Sequence, residues 1–481
     1  MNDSATVVAT TTFGIVEGRS GNDIKNLALV VYDYIVAECT AEGLARQAIL
    51  RLRQYGHQAF LAGGCVRDRL LGREPADYDV ATSARPEQVL DLFPGSRQVG
   101  AHFGVVLVRE DTAEVEIATY RSDHAYTDGR RPEGVDFETD PRRDVIRRDF
   151  TINGLLLDPE TGRVLDDVGG RDDLAQGIIR AIGDPEQRFA EDHLRMLRAV
   201  RFAARLGFTI EPATFAAIRK LHASIAAISA ERIRDEILRI LTEGGARRGF
   251  ELLDRTGLLA VVLPEVAALK GVAQPPQFHP EGDVWTHTLM MLEGMRAPSE
   301  TLTLGVLLHD VGKPATFRVA DRIRFDGHAE VGAYMAVEIL TRLRLPNDTI
   351  RQVEALVALH LRFIEVTHMR ESTLKRFLRT ERFEEHLELH RLDCVMSHGL
   401  LDNYEFAKRR FEESPRETLK PKPLVGGDDL IAAGYRPGPA FALMLRAAED
   451  AQLEGRISTK EEALEWIRAR FEPSGADTQK Q

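Results

Sequence analysis

What most constrains this chain is a diglycine followed at short range by paired aspartates. The stretch reads Gly63-Gly64-Cys65-Val66-Arg67-Asp68 and continues to Asp77-Tyr78-Asp79-Val80. Ahead of it, Gln58-Ala59-Phe60-Leu61-Ala62 is a short apolar run that suits a strand. The two glycines let the backbone turn sharply and bring its N–H groups close to a ligand. Residues 66–71 are expected to form a short helix whose N-terminus favours phosphate. Residues two apart on a strand face the same way, so Asp77 and Asp79 are expected to project together. A hard cation such as Mg2+ takes oxygen ligands of this kind, with phosphate oxygens and water completing its shell. A phosphate cradle beside a carboxylate pair points to phosphoryl or nucleotidyl transfer centred on Asp77 and Asp79.

A diglycine before a helix is commonly a plain turn, and Asp-x-Asp is commonly a solvated edge. The ordered combination is more specific. In it the chain resembles the polymerase-β-like nucleotidyltransferases, and within them the class II tRNA CCA-adding enzymes and bacterial poly(A) polymerases. That family opens with Gly-Gly-x-Val-Arg-Asp and follows with Asp-x-Asp. The resemblance implies an α+β fold: a head of mixed sheet with helices, then an all-helical neck, an HD-type body and a tail. It implies that Gly63, Gly64 and Arg67 meet the nucleotide. It also implies that Glu116, which stands before Thr119-Tyr120-Arg121, is the third carboxylate of the catalytic site. Glu114 lies on the same strand face and competes for that role.

Further motifs extend the resemblance. Residues 121–140 are expected to be loop, and Arg130 and Arg131 within it to contact RNA; in the family this loop belongs to enzymes that add A, and CC-only enzymes lack or shorten it. Arg147-Arg148-Asp149-Phe150-Thr151-Ile152-Asn153 resembles the motif assigned to the ribose and triphosphate, with Arg148, Asp149 and Asn153 as nucleotide contacts. Asp149 can accept from a 2′-hydroxyl, and the arginines can pair with phosphate. From Ile182 onward the pattern is almost wholly helical. Asp192 and Arg195, three apart, are expected to share a helix face, either as a surface ion pair or as a base reader. Arg195 could donate to cytosine N3 and O2 or adenine N1, while Asp192 accepts from the exocyclic amine. Guanine and uracil present the opposite polarity, so such a pair selects C and A without a template, which is the role the resemblance gives it. Arg198 (toward the nucleotide), Arg201 (toward RNA) and Arg205 continue a basic stripe, open to phosphates or to acidic neighbours.

A second pattern follows a proline-rich stretch at 264–280, read as a hinge. An apolar run leads into His309-Asp310-Val311-Gly312-Lys313-Pro314, where Gly312 and Pro314 end a helix and leave His309 and Asp310 at its tip. Imidazole plus carboxylate suits a divalent transition metal or Mg2+. The pattern resembles the HD phosphohydrolase superfamily, which implies His287 and Asp393 as the remaining metal ligands and Ni2+, Co2+, Mn2+ or Mg2+ as the ion. His328 and His360 are further candidates, for a second metal or for phosphate.

At 481 residues the chain is too long for one core. The expected divisions are a tail at 1–43, the head at 44–171, the neck at 172–263, the HD-type domain at 275–405 and a helical end at 406–481. Three scattered cysteines, Cys39, Cys65 and Cys394, form no paired framework, which fits a reducing cytoplasm. No apolar run approaches the ~20 residues of a membrane span. Formal charge is −12, so any basic surface for RNA must be gathered locally. The expected activity is template-independent addition of C and A to the tRNA 3′ end from CTP and ATP. Its rivals are poly(A) synthesis, A-only addition, and an HD phosphohydrolase whose head merely binds RNA.

Overall fold

The computed structural model describes residues 40–99, 104–123, 134–277 and 279–471. They fall into two compact units, one of Met1–Arg195 with Thr209–Ala217, the other of Met196–Phe208 with Ile218–Gln481. The division therefore falls beside Arg195, and the proline-rich stretch expected as a hinge lies inside the second unit.

The first unit is α+β. Its strands are β1 (Ala59–Ala62), β2 (Asp79–Thr82), β3 (Arg97–Val99), β4 (Val105–Glu110), β5 (Ala113–Thr119), β6 (Arg121–Asp123), β7 (Val135–Phe137), β8 (Leu155–Leu157) and β9 (Val164–Asp166). Seven form one mixed sheet in the order β3-β4-β5-β2-β1-β8-β9, with β2 and β5 parallel. Along β5 burial alternates: Ala113, Val115, Ile117 and Thr119 face the core, while Glu114 and Glu116 are exposed. The helix Ala41–Gln54 covers the sheet with Leu44, Ala45, Ala48, Ile49 and Leu52, one buried stripe at helical spacing.

Three local expectations change. β2 begins at Asp79, so Asp77 precedes the strand rather than sharing it. The segment at 121–140 is not loop throughout, because β6 and β7 pair antiparallel across it. Its centre, with Arg130 and Arg131, lies outside the described residues. The helix Pro185–Glu191 ends before Asp192, whose backbone is extended (φ −142°, ψ 104°), and the next helix starts at Arg195. Asp192 and Arg195 therefore do not share a helix face. The cause is local: Asp192 Oδ1 accepts from Leu194 N at 3.1 Å, a short-range bond that competes with helix.

The second unit is helical. Around its HD segment stand the helices Val284–Gly294, Glu300–Leu308, His328–Arg342, Asn347–Leu359 and Phe383–Val395. Phe363, Phe377, Leu378 and Phe383 centre one apolar core, and Leu430, Met444, Ala463 and Ile467 another near the chain end. No described helix is long and apolar enough to cross a membrane.

Candidate functional site

In the first unit the chemistry gathers at the turn between β1 and the helix Gly64–Leu70. Gly63 has φ 72° and ψ −129°, a conformation that only glycine adopts without strain. A Cβ on Gly63 would lie 3.2 Å from Arg148 Nη1 and 3.8 Å from Asp79 Oδ2. One on Gly64 would lie 3.7 Å from Arg67 Nη2 and 4.0 Å from Asp77 Oδ1. The bare turn is thus where both aspartates and two arginines converge. Asp79 is also the register partner of Glu116 across the parallel β2–β5 pair, which puts their side chains on one face. Glu114, two residues back, is held in an ion pair by Arg109.

Burial, then the charges of Asp77 and Glu116, push the Asp79 carboxyl up to about 7, with Arg148 pulling the other way. Asp77 and Asp79 at the turn, with Glu116 beside Asp79 across the strand pair, gather more negative charge at Asp79 than Arg148 offsets. A divalent cation with oxygen ligands fits that need.

Around this centre lies a network that the sequence showed only in part. Asp144, 1% exposed, holds Arg147 at 2.6 Å and Arg148 at 2.9 Å, so it fixes both arginines. Arg67 is buried: it pairs with Asp68 at 2.8 Å and donates to Asn153 Oδ1 at 2.8 Å. Asn153 in turn donates to Asp149 Oδ1 at 3.1 Å, so Arg67 braces the motif from behind. Neither Asp144 nor this bracing role carries a pattern in the sequence. Arg195 is held by Glu191 at 2.6 Å and donates to the carbonyls of Arg188 and Arg147 at 3.0 and 3.1 Å. Its partner is thus Glu191, the last residue of the preceding helix, across the break at Asp192.

The basic stripe of the second unit meets acidic neighbours. Arg201, 4% exposed, pairs with Glu236 at 2.8 Å and Glu243 at 3.2 Å, so it is internal and not an RNA contact. Arg198 approaches Glu236 at 4.0 Å and Arg205 approaches Glu243 at 3.5 Å.

Farther along, the helix Glu300–Leu308 ends at His309, as its glycine and proline imply. His287, His309 and Asp393 bring ligand atoms within 4.8 Å of one another, and so do Asp310, His328 and His360. His287 Nε2 lies 3.2 Å from Asp393 Oδ1 and His309 Nε2 lies 3.1 Å from Asp310 Oδ2, so both rings turn a nitrogen toward a carboxylate in the buried centre. Buried, convergent imidazoles of that kind fit a metal ion. Burial opposes a charged carboxylate at Asp393, but His287 beside it outweighs that and holds it below the usual range. His360 is pushed down to about 4, chiefly by burial. A cavity of about 330 Å³ opens beside both groups and is lined by Phe325, Leu361, Ile364, Cys394 and His398. Sequence reasoning missed Glu281, whose Oε1 lies 2.7 Å from His287 Nδ1.

Comparison with known proteins is consistent along the chain. Residues 59–180 match the family model described as "Poly A polymerase head domain". Residues 207–270 match "Probable RNA and SrmB- binding site of polymerase A", and 283–396 match "HD domain". The chain is 34% identical over 425 residues to a CC-adding tRNA nucleotidyltransferase of Thermus thermophilus, covering 85% of this chain and 93% of that one. It is 32% identical over 421 residues to a CCA-adding enzyme of Levilactobacillus brevis, covering 88% and 96%. Among solved structures it resembles the Bacillus stearothermophilus CCA-adding enzyme in complex with CTP, with TM-score 0.70, 30% identity, and 89% and 96% of the two chains covered.

Proposed function

The chain belongs to the tRNA nucleotidyltransferase family that contains the CC-adding and CCA-adding enzymes, and on that premise we propose that it completes tRNA 3′ ends with CCA. It takes CTP and ATP, uses no nucleic-acid template and releases pyrophosphate in the cytoplasm. The observation that carries this reading is the meeting of Asp77 and Asp79 at the Gly63-Gly64 turn, with Glu116 beside Asp79 across the β2–β5 pair.

The RNA 3′-hydroxyl attacks the α-phosphate, and the bond to the pyrophosphate oxygen breaks. Asp77, Asp79 and Glu116 would hold Mg2+, which when bound stabilises charge on the attacking and leaving oxygens. The backbone N–H groups of the turn approach the phosphates, and Arg148, braced by Asp144, pairs with them. Asp149 receives the ribose hydroxyl. Arg195 spends both Nη1 hydrogens and one Nη2 hydrogen on Glu191 and the two carbonyls. Among the described residues Nε and the second Nη2 hydrogen remain, two donors for cytosine N3 and O2 or for adenine N1. Asp192 accepts from the exocyclic amine that both bases carry.

The Thermus relative supports a second reading, addition of CC alone. Offering tRNA that ends before CCA, with CTP and ATP separately and together, separates the readings. Full CCA addition gives two residues with CTP, three with both nucleotides, and no growth on unstructured RNA. A halt at two residues in the presence of ATP means a CC-adding enzyme, and runs of A on unstructured RNA mean a poly(A) polymerase. In the second unit, the same reading assigns to the HD-type site hydrolysis of terminal phosphates and 2′,3′-cyclic phosphates, with Ni2+, Co2+, Mn2+ or Mg2+.

A further inference from the structure

Asp77 stands just outside the strand ladder that holds Asp79. β2 begins at Asp79, the register partner of Ala62 on β1, so strand pairing does not reach Asp77. Its carboxylate nevertheless comes to the diglycine turn, where a Cβ on Gly64 would lie 4.0 Å from Asp77 Oδ1. A contact other than the sheet must hold the connection at residues 72–78 in place.

The residue between the two aspartates makes that contact. Tyr78 is 9% exposed, and its hydroxyl donates to Glu42 Oε2 at 3.2 Å. Glu42 lies in the first turn of the helix Ala41–Gln54, the element whose apolar stripe covers the sheet. Burial, then the charge of Glu42, pushes the phenol up to about 12, so the hydroxyl keeps its proton and donates. The other oxygen of the same carboxylate, Oε1, accepts from Arg69 Nη1 at 2.7 Å and from Arg46 Nη2 at 2.9 Å. Burial opposes charge on Glu42, but these two arginines outweigh it and hold the carboxyl below its ordinary value. Arg69 belongs to the last turn of the helix Gly64–Leu70, which starts at the diglycine turn. Arg46, four residues on from Glu42, fixes the carboxylate to its own helix. One carboxylate thus ties the helix that follows the turn to the segment that brings the aspartates back to it. The Glu42 side chain is 34% exposed, so its ion pairs add little to global stability and their consequence is local.

We propose that Glu42 and Tyr78 form a clamp that positions Asp77 and Asp79 for metal binding at the diglycine turn. Both are positioning residues: Tyr78 acts through the peptide bonds that join it to each aspartate, and Glu42 acts through Tyr78 and Arg69. The inference rests on the nucleotidyl-transfer reading of the head and adds to it the group that sets the carboxylate pair in place.

The test begins with Tyr78→Phe in the full chain, which keeps the buried ring and removes the hydroxyl alone. The Mg2+ concentration for half-maximal CTP addition to tRNA should rise about tenfold, the scale on which outer partners of metal ligands act. KM for CTP at saturating Mg2+ should stay close to that of the parent, a split that general loss of stability does not produce. Glu42→Ala should raise the Mg2+ requirement likewise, and the double variant should be no worse than Glu42→Ala, since both changes break one contact. Hydrogen exchange in EDTA reads the clamp without turnover. Amides of residues 72–78 should exchange faster in Tyr78→Phe, while those of the helix Ala41–Gln54 keep the parent's rates. An unchanged Mg2+ requirement, unchanged exchange, or fully additive effects in the double variant would overturn the proposal. Tyr78→Phe decides alone if Glu42→Ala fails to fold. A parent chain that adds no nucleotide would end the proposed function; an active parent whose Tyr78→Phe variant needs no more Mg2+ would end this inference alone.

Discussion

At Asp79, burial and two like charges act in the same direction, and the carboxyl rises to about 7. A folded-state value above the unfolded one means that the fold prefers the protonated form. The associated stability is present at low pH and is lost as pH rises through about 7. In EDTA at pH 8, Asp79→Asn should therefore stabilise the protein, by about 1–3 kcal/mol after allowance for partial exposure. The same change should remove nucleotide incorporation under Mg2+. Urea unfolding and a primer-extension assay on one preparation check both halves; near-normal incorporation would end the metal assignment. Arg195 makes a different prediction. Arg195→Ala should raise UTP and GTP misincorporation relative to CTP and ATP by roughly tenfold to a hundredfold, the scale of a bidentate base contact. Unchanged nucleotide choice would reduce Arg195 to the structural partner of Glu191. The diglycine, both aspartates and the histidine-aspartate pair were legible because each is a compact pattern of unusual residues. Asp144, Glu191 and Glu281 were not, because a bracing carboxylate looks in sequence like any other acid.

The strands and helices that place these groups differ in how clearly the sequence declares them. β5 alternates cleanly, so its inward and outward faces and the position of Glu116 follow from period-two patterning. The pairing of β2 with β5 is a different matter: it joins strands with two others between them in the chain, and no local pattern encodes that register. Asp192 shows the limit most clearly, since helical spacing continues through it while its side chain breaks the helix. The helix Phe383–Val395 offers a test at this scale. It buries His386 with both ring nitrogens lacking hydrogen-bond partners among the described residues, and burial pushes the imidazole down to about 4. A depressed value means that the unfolded chain takes the proton first. Stability from this residue is full above about 6.5 and is lost as pH falls toward 4, by about 3 kcal/mol in all. His386→Phe, which keeps a ring beside Phe383, should flatten that part of the acid limb. Identical pH dependence in denaturant titrations of the two proteins would show that His386 is not the group that titrates.

Across the whole chain, two ligand chemistries occupy two compact units. The head offers oxygen ligands on a mixed sheet; the helical unit offers imidazoles with two carboxylates. Hard and borderline ions are sorted by that difference, so the units should answer to different metals. The net charge of −12 fits a chain whose basic stripe at Arg198, Arg201 and Arg205 is already engaged by Glu236 and Glu243. His309→Ala and Asp310→Ala should therefore abolish hydrolysis of a 2′,3′-cyclic nucleotide while leaving most CCA addition intact. Asp79→Ala should do the reverse. Both activities would be followed in Mg2+, Mn2+, Co2+ and Ni2+, with circular dichroism to show that each variant remains folded. Hydrolysis should be stronger in the transition ions and addition should be supported by Mg2+. Loss of both activities in a folded His309→Ala protein would mean that the two sites are coupled, and the separation argued from their ligands would fail. Absence of hydrolysis in every metal would leave the helical unit as a body that binds ions or RNA without turning over.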